Sequence, residues 1–515
     1  MAVSGGAPRA PQAGSTPDPY DGDDEAPRTG AWARPRLHLS ERVLLLVIVD
    51  GLLINLALFL ALLIRPVPLW FYLGGYRLSQ QTVRAILDQS SWFIILSIVW
   101  YVCAFMLDCY NLRRATSPLQ SLGPLGGAIF LTSAFYLLIP RLTPALPTSR
   151  LDILIFPLLG VLVLGAWRAV YATVLVQPGF QQGALVIGAG SAGRTLVRAI
   201  NQLGGEERAT PRSIGYQALG FIDDDPAKQG TIVEGVPVLG TRHDLVRLAR
   251  RLRPSELVVA ITHAETIDNA LFGAILACHE MGFAITTMPT LYESLTSRVP
   301  VEHAGRALSV VLPLLRPVTH RFYLVFKRLL DIAVGLFGCL MLLAVMPFIW
   351  LGNCLTSPGP LFYSQVRVGK GGRTFLVPKF RSMTVDAEKQ TGVVWAVEND
   401  PRITPIGRYL RKSRLDEFPQ FWTILKGDMS LIGPRPERPY FVEQLATQIP
   451  FYRVRHTVKP GLTGWSQVMY RYGASVEDAL TKLQYDLYYI KHQGILLELR
   501  ILLKTVPTLI GLRGR

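Results

Sequence analysis

Five long apolar runs constrain this sequence more than any other feature. They cover residues 43–64, 91–107, 120–140, 153–175 and 332–351. Each approaches the roughly 20 residues that a helix needs to cross the hydrocarbon core of a bilayer. Lipid offers no partner to a backbone N–H or C=O, so such runs are expected to be helical. Charge is correspondingly scarce: 17% of the 515 residues are charged, against about 25% in an ordinary soluble domain. A chain of this length holds two or three domains, and the expected class is membrane α plus α/β.

The formal net charge is +16. An anionic membrane surface is the partner this favours. Nucleic acid is not expected, because no zinc-finger spacing or aromatic platform accompanies the charge. The cysteines Cys103, Cys109, Cys278, Cys339 and Cys354 form no C-x-x-C pair. They read as inert thiols rather than a disulfide framework or metal cage.

Residues 1–36 are rich in Pro, Gly, Ala and Asp and lack apolar periodicity. They are predicted to be a disordered tail, and not a signal peptide, since the first apolar run begins only at Val43. Residues 37–180 carry the first four runs and are predicted to form four transmembrane helices. Arg34, Arg36 and Arg42 precede the first run, Arg113 and Arg114 follow the second, and Arg168 lies near the end of the fourth. The positive-inside rule places these ends in the cytoplasm, with Arg65, Arg77 and Arg84 on the opposite loop making the bias modest. Asp50, inside the first run, is expected to be buried against a neighbouring helix.

Residues 181–300 alternate between strand and helix patterns. Ala184–Gly188 reads as a buried strand, and Thr195–Leu203 has helical periodicity. Between them runs Gly188-Ala-Gly190-Ser-Ala-Gly193. This is G-x-G-x-x-G in its required context, so a Rossmann-like domain is predicted. Asp223 falls where a ribose-binding acid would end the second strand. A bound dinucleotide would use Gly188, Gly190, Gly193 and Asp223. The alternative is that the glycines serve only strand–helix packing in a vestigial or regulatory domain. No Tyr-x-x-x-Lys occurs within 181–300, which argues against a nucleotide-sugar dehydratase or epimerase.

Residues 301–320 read as a linker, and 321–515 as a further domain. Here the sequence Arg411-Lys-Ser-Arg-Leu-Asp416-Glu417-Phe-Pro419 leads into an apolar stretch ending at Gly427. A short helix is predicted, with adjacent carboxylates at its start and Gly427 as its stop. Ser413-x-x-Asp416 also resembles a capping box, which is the purely structural explanation. Nearby motifs argue for more. Arg435 stands between Pro434 and Pro436 in what should be a stiff turn. Arg367, Lys379 and Arg381 lie upstream, and Lys459-Pro-Gly-Leu-Thr-Gly-Trp-Ser-Gln lies downstream. Fixed cations and glycine loops beside an acidic pair point to phosphate ligands next to a carboxylate nucleophile or a metal site.

At Lys379-Phe-Arg-Ser-Met, Leu415-Asp-Glu, Lys426-Gly-Asp-Met-Ser-Leu-Ile-Gly-Pro-Arg-Pro and the Lys459 motif, residues 326–512 resemble the bacterial sugar transferases. These are the monotopic polyprenyl-phosphate phosphoglycosyl transferases. The preceding spans and Rossmann-like module are similar to the long-form members that initiate exopolysaccharide or O-antigen assembly. The resemblance implies an α/β catalytic domain on the cytoplasmic face of the bacterial inner membrane. It implies a UDP-sugar and a polyprenyl phosphate as substrates and Mg²⁺ as cofactor. Asp416 matches the nucleophile, Glu417 its partner and fellow metal ligand, and Arg411 and Arg435 the phosphate or carboxylate contacts. Homo-oligomers and other polysaccharide-assembly proteins fit the long-form architecture as partners, and scaffolding of that assembly is the competing role.

The fifth run fits a transmembrane helix by length. The resemblance favours a re-entrant helix bent at Pro347, with Lys327 and Arg328 reaching toward lipid headgroups. The Tyr485–Lys491 cluster fits either a headgroup belt or core packing. Residues 494–513, with Arg500, Lys504 and Arg513, read as an interfacial amphipathic helix.

Overall fold

The computed structural model describes residues 39–64, 90–111, 118–137, 151–175, 182–203, 216–262, 267–304, 308–312, 319–385, 400–470 and 475–510, together with Ala115, Thr143, Ala387 and Gly473. The expected tail, Arg34, Arg36, Arg65, Arg77, Arg84, Arg113, Arg114 and Arg513 lie outside these residues.

Four apolar helices come first: α1 (Leu39–Ile64), α2 (Ser90–Met106), α3 (Pro118–Leu137) and α4 (Ile155–Val170), the last running on into a π-turn over Tyr171–Leu175. By length and composition, the spans Glu41–Ile64 and Ile155–Val174 suffice to cross a membrane, and Ser90–Met106 is shorter. The third helix carries Pro124 inside it. Leu46, Ile54, Leu96, Trp100, Ile129 and Leu164 fill the centre of the bundle. Asp50 is fully buried there and accepts from Arg168 at 2.5 Å, so the acid in the first run has a cation from the fourth as partner. Removing either partner would strand the other charge, at a cost of about 3–5 kcal/mol.

The Rossmann-like part has strands β1 (Gln182–Ile187), β2 (Tyr216–Ile222), β3 (Ile232–Val233), β4 (Val236–Gly240), β5 (Glu256–Val259) and β6 (Ala284–Thr287). They form one sheet in the order β3-β4-β2-β1-β5-β6. All neighbours are parallel except the β3–β4 hairpin. Strand β1 is buried along its whole length because helices cover both faces. The covering helices are α5 (Ser191–Leu203), α6 (Leu245–Leu252), α7 (Asn269–Glu280) and α8 (Met288–Thr296). The sequence pattern missed the hairpin, whose turn needs positive φ at Glu234 (50°) and Gly235 (80°).

The segment after α8 is stitched to the C-terminal part. Val299 N–H donates to the Gln484 carbonyl at 3.1 Å, and Trp465 Nε1 donates to the Ser297 carbonyl at 3.2 Å. Glu293, buried, pairs with Lys491 at 2.7 Å.

Helix α9 (Thr319–Thr356) runs unbroken through Pro347. One of its faces lies against the catalytic elements from end to end. A Cβ at Gly338 would come within 2.2 Å of the Phe421 ring, and one at Gly352 within 2.2 Å of Ile406. Asp331 accepts from Leu431 N–H at 2.8 Å, and Asn353 accepts from Arg381 at 2.6 Å. The other face leaves Phe322, Phe337, Leu340, Phe348, Trp350 and Leu355 exposed. Lys327 and Arg328 do not reach outward as expected. Lys327 donates to the Ile432 carbonyl and pairs with Glu498, while Arg328 donates to the carbonyls of Ile424 and Leu425. Ile424 and Leu425 belong to the last turn of the helix Gln420–Lys426, whose carbonyls lack N–H partners within the helix, and this draws Arg328 inward.

Past α9 come a hairpin of β7 (Phe362–Val368) and β8 (Thr374–Phe380), then α10 (Pro405–Ser413) and α11 (Gln420–Lys426). A parallel pair, β9 (Ser430–Ile432) and β10 (Gly461–Thr463), follows with the helices α12 (Pro439–Gln448), α13 (Trp465–Met469), α14 (Val476–Lys491) and α15 (Ile495–Ile510). The Tyr485–Lys491 cluster is core: Tyr485, Leu487, Tyr489 and Ile490 are all buried. Helix α15 leaves Leu496, Leu499 and Arg500 exposed, and Lys504 turns inward. Lys504 pairs with Asp108 at 2.5 Å, and Arg500 lies 5.5 Å over the Trp465 ring.

Candidate active site

The acidic pair is placed by two successive breaks in helical backbone. Thr404 caps α10, accepting from Gly407 N–H at 3.0 Å, and the helix stops at Arg414, which adopts the left-handed conformation (φ 58°). The chain then makes a single 3₁₀ turn, Leu415–Glu417, before α11 begins at Gln420. Gly427 closes α11 at φ 101°. The dyad therefore sits in a turn ahead of the helix, not in its first turn. The capping box also fails: Ser413 ends α10 and donates back to the Tyr409 carbonyl at 2.8 Å.

Arg435 is held by its backbone. Four consecutive carbonyls around it are each tied. Pro434 accepts from Gly461 N–H at 2.9 Å, Arg435 from Arg455 at 3.0 Å, Pro436 from Arg367 at 3.1 Å, and Glu437 from Val368 N–H at 2.9 Å. Arg455 is itself buried and locked by Asp486 at 2.9 Å, which in turn accepts from Ser466 at 2.7 Å. From this fixed turn the Arg435 guanidinium donates to Glu417 at 2.5 Å, and Lys379 reaches the same oxygen from β8 at 3.3 Å.

The two carboxylates are thereby made unequal. Burial alone would raise Glu417, but Arg435 and Lys379 outweigh it and hold that carboxyl below the usual range. Burial, then repulsion from Glu417, pushes Asp416 up to about 6, with Lys379, Arg411 and Arg435 pulling the other way. No described residue hydrogen-bonds or ion-pairs with the Asp416 carboxylate. Glu417 thus stays ionised and fixed. Asp416 is a basic carboxylate with its oxygens uncommitted, under a positive field.

The expected site residues divide accordingly. Asp416, Glu417, Lys379, Arg411 and Arg435 come together. Arg367 supports the Arg435 turn through a backbone carbonyl. Arg381 corrects the expectation of a phosphate contact: it is buried and donates to the Pro360 carbonyl at 2.7 Å, Ser357 Oγ at 3.1 Å and Asn353 at 2.6 Å. It ties the end of α9 to the hairpin. Arg455, Asp486 and Arg414 were missed as members of the supporting shell. Only the unusual density of charge in an apolar stretch could have flagged them.

The glycine loop is built as expected. Gly188 has φ 104°, and a Cβ at Gly193 would sit 2.0 Å from the Gly188 carbonyl oxygen. Gly190 has open space around it. Asp223 does not wait for a ribose: it accepts from Ala189 N–H at 2.7 Å and Asp225 N–H at 3.0 Å, and Lys228 lies at 3.3 Å.

A membrane-associated helical and α/β protein with a cation-ringed carboxylate pair is a group-transfer enzyme in outline, and the comparisons make that specific. Residues 322–511 match the model of the bacterial sugar transferase family, and residues 106–267 match that of a CoA-binding domain. A UDP-N-acetylgalactosamine-undecaprenyl-phosphate N-acetylgalactosaminephosphotransferase of Aeromonas hydrophila is 44% identical over 317 residues, 59% of this chain and 69% of that protein. A UDP-glucose:undecaprenyl-phosphate glucose-1-phosphate transferase of Xanthomonas campestris pv. campestris is 40% identical over 192 residues, 37% of this chain and 40% of that protein. A UDP-galactose-lipid carrier transferase of Erwinia amylovora is 28% identical over 315 residues, 58% and 64% of the two chains. The chain belongs to the bacterial sugar transferase family. It is a membrane protein and a transferase.

Proposed function

We propose that this enzyme moves a sugar 1-phosphate from a UDP-sugar to undecaprenyl phosphate, releasing UMP, in two displacements at phosphorus. In the first, an Asp416 oxygen attacks the phosphorus that carries the sugar, and the bond to the UMP oxygen breaks. In the second, an oxygen of the lipid phosphate attacks the same phosphorus, the bond to Asp416 breaks, and the lipid leaves with the phosphosugar. The observation that carries this reading is the unequal dyad. Asp416 has uncommitted oxygens and raised basicity, while Glu417 is pinned by Arg435 and Lys379.

An anionic nucleophile approaching an anionic phosphorus needs its charge offset. Arg411, Arg435 and Lys379 supply fixed positive charge on this chain. The donor set also fits Mg²⁺, which is commonly bound by one or two carboxylates completed by substrate phosphates. Among the described residues no group of three metal-ligating side chains occurs, so Asp416 and Glu417 would hold it with the substrate. When bound, it would neutralise charge on the transferring phosphate.

In this reading α9 lies in one leaflet with both ends at the cytoplasmic face of the inner membrane, and the four N-terminal helices span it. Support comes from the contacts of Tyr323 with Glu498 and of Asn353 with Arg381, near the two ends of α9, and from the exposed apolar stripe opposite them. A full crossing would drag those catalytic elements into lipid. The domains follow as 37–180 membrane, 181–300 Rossmann-like, 301–320 linker and 321–515 catalytic. The relatives' names carry three different sugars, so the sugar is the first thing to measure. Purified enzyme with Mg²⁺, undecaprenyl phosphate and a panel of UDP-sugars should release UMP with one of them. UMP release that survives Asp416→Asn would overturn the covalent route.

A further inference from the structure

A second group of cations lies at the far end of α11 from the dyad, and the mechanism above does not use it. Gly427 ends that helix at φ 101°. A Cβ there would stand 3.3 Å from Arg328 Nη2 and 3.5 Å from Lys459 Nζ, so the two cations converge over a position kept bare by glycine. Lys370, at the tip of the β7–β8 hairpin, adds a third positive charge felt by Lys459. Arg328 spends its donors on the neutral carbonyls of Ile424 and Leu425. Those bonds leave its charge unbalanced.

Lys459 and Lys370 make no hydrogen bond or ion pair among the described residues. The acids in reach of Lys459 are engaged elsewhere. Asp428 pairs with Lys426 at 2.9 Å, and Asp331 accepts from Ser430 at 3.0 Å and from Leu431 N–H. Partial burial, followed by the nearness of Arg328 and then Lys370, lowers the Lys459 ammonium below its ordinary range, against the opposing pull of Asp331 and Asp428. Like charges gathered in a half-buried place cost free energy unless an anion joins them.

The position also connects to the site. Gly369, Val458 and Pro460, the chain neighbours of Lys370 and Lys459, line a cleft whose wall includes Pro434, Arg435 and His456. His456 makes no hydrogen bond among the described residues, and burial, then Arg455 and Arg453, pushes it down to about 4. It therefore presents a neutral imidazole. Lys370 and Lys459 flank this small cleft without lining it, and its opposite wall is the turn that carries Arg435.

We infer that Arg328, Lys370 and Lys459 form a second anion site, which takes a phosphate group at the opposite end of α11 from Asp416. Two sources carry that chemistry: a lipid headgroup, since α9 presents its exposed apolar stripe nearby, and a soluble phosphate compound reaching the site past the exposed Lys370. The site is defined by these residues and does not depend on the covalent route at Asp416.

Acylation of lysines tests it without measuring turnover. The full-length enzyme, in detergent or in nanodiscs, is treated with an amine-reactive acetyl ester, and modification of Lys459 is followed by mass spectrometry against exposed Lys412. An anion seated on Lys459 should raise its pKa by about one unit and cut the reactive free amine about tenfold. Protection by inorganic pyrophosphate in detergent identifies a soluble phosphate as ligand. Protection in phosphatidylglycerol nanodiscs, but not in phosphatidylcholine nanodiscs, identifies the lipid headgroup. Lys370→Gln, on an exposed loop and so harmless to folding, should weaken either protection several-fold. Arg328→Gln should do the same if it folds. If neither probe protects Lys459 beyond Lys412, or if Lys370→Gln leaves protection unchanged, the site does not exist as inferred.

Discussion

Two places among the described residues bring a sharp turn, an acid and a cation together, and they have opposite outcomes. At the end of β2, Asp223 is satisfied from within: two backbone N–H groups and Lys228 occupy its carboxylate. At the start of α11, Asp416 is ringed by Lys379, Arg411 and Arg435, yet no described residue bonds to it. The residue types are nearly the same. The difference is where the donors go. In the catalytic part they converge on Glu417 and on backbone carbonyls, which leaves one buried carboxylate with charge around it and nothing on it. A motif marks where chemistry is affordable, and the uncommitted valence marks where it happens.

The largest effect should come from testing that contrast directly. Asp416→Asn should lower UMP release by at least ~10³-fold, as loss of a covalent nucleophile does. Asp223→Asn should change it less than about twofold. Equal losses in both would erase the distinction, and the Rossmann-like loop would then have to be counted as part of the active site.

Next is the field around the dyad. Arg435→Met removes the charge-assisted bond to Glu417 and one cation near Asp416, and should cost ~10²-fold in turnover. Arg455→Met leaves the Arg435 side chain in place but frees its carbonyl. It should lower turnover less, and it should also lower thermal stability because Asp486 is left buried and unpaired. A larger loss for Arg455→Met than for Arg435→Met would mean that backbone placement outranks charge.

Acidity sharpens the comparison further. An Asp416 carboxyl raised to about 6 must be ionised to attack, so single-turnover UMP release should fall about tenfold per pH unit below 6. The sign for stability is the reverse. A carboxyl whose folded pKa lies above its unfolded value stabilises the fold at low pH, and that contribution is lost as pH rises from the unfolded value through 6. At pH 7 the ionised group is a burden of order 1–3 kcal/mol. Asp416→Asn should therefore melt higher than wild type at pH 7 and gain little at pH 4. A lower melting point at both would show that the carboxylate is better solvated than its burial implies.

Much of this was legible in the sequence. Apolar length gave the bundle and α9, and period and glycine spacing gave β1, α5 and the loop between them. The strongest motifs gave Asp416, Glu417, Lys379, Arg411 and Arg435. What stayed hidden was pairing. Arg381 and Arg435 look alike in sequence, each an arginine in a short motif of the last domain, but Arg381 meets Asn353 and the Pro360 carbonyl at the end of α9 while Arg435 meets Glu417. Asp50 and Arg168 are 118 residues apart, and nothing local links them. Asp486 and Arg455 were lost among aromatics whose helical spacing read equally as core or interface. Spacing reports which face a residue occupies, and the identity of the group opposite is set by tertiary contacts.

The smallest effect on chemistry should be found at Gly193. A methyl there would overlap the Gly188 carbonyl, so Gly193→Ala must push α5 off β1 at a cost of about 1–3 kcal/mol. That strain falls on a sheet whose link to the catalytic part runs through Ser297, Val299 and Glu293. If the Rossmann-like part is a support, Gly193→Ala should lower the melting temperature and leave UMP release per folded enzyme within about twofold. If turnover falls with the loop, while Trp465 and Lys491 still dock, then α5 communicates with the dyad through α14. His303, which bonds Thr195 of α5 at 2.9 Å, would be the contact to remove next.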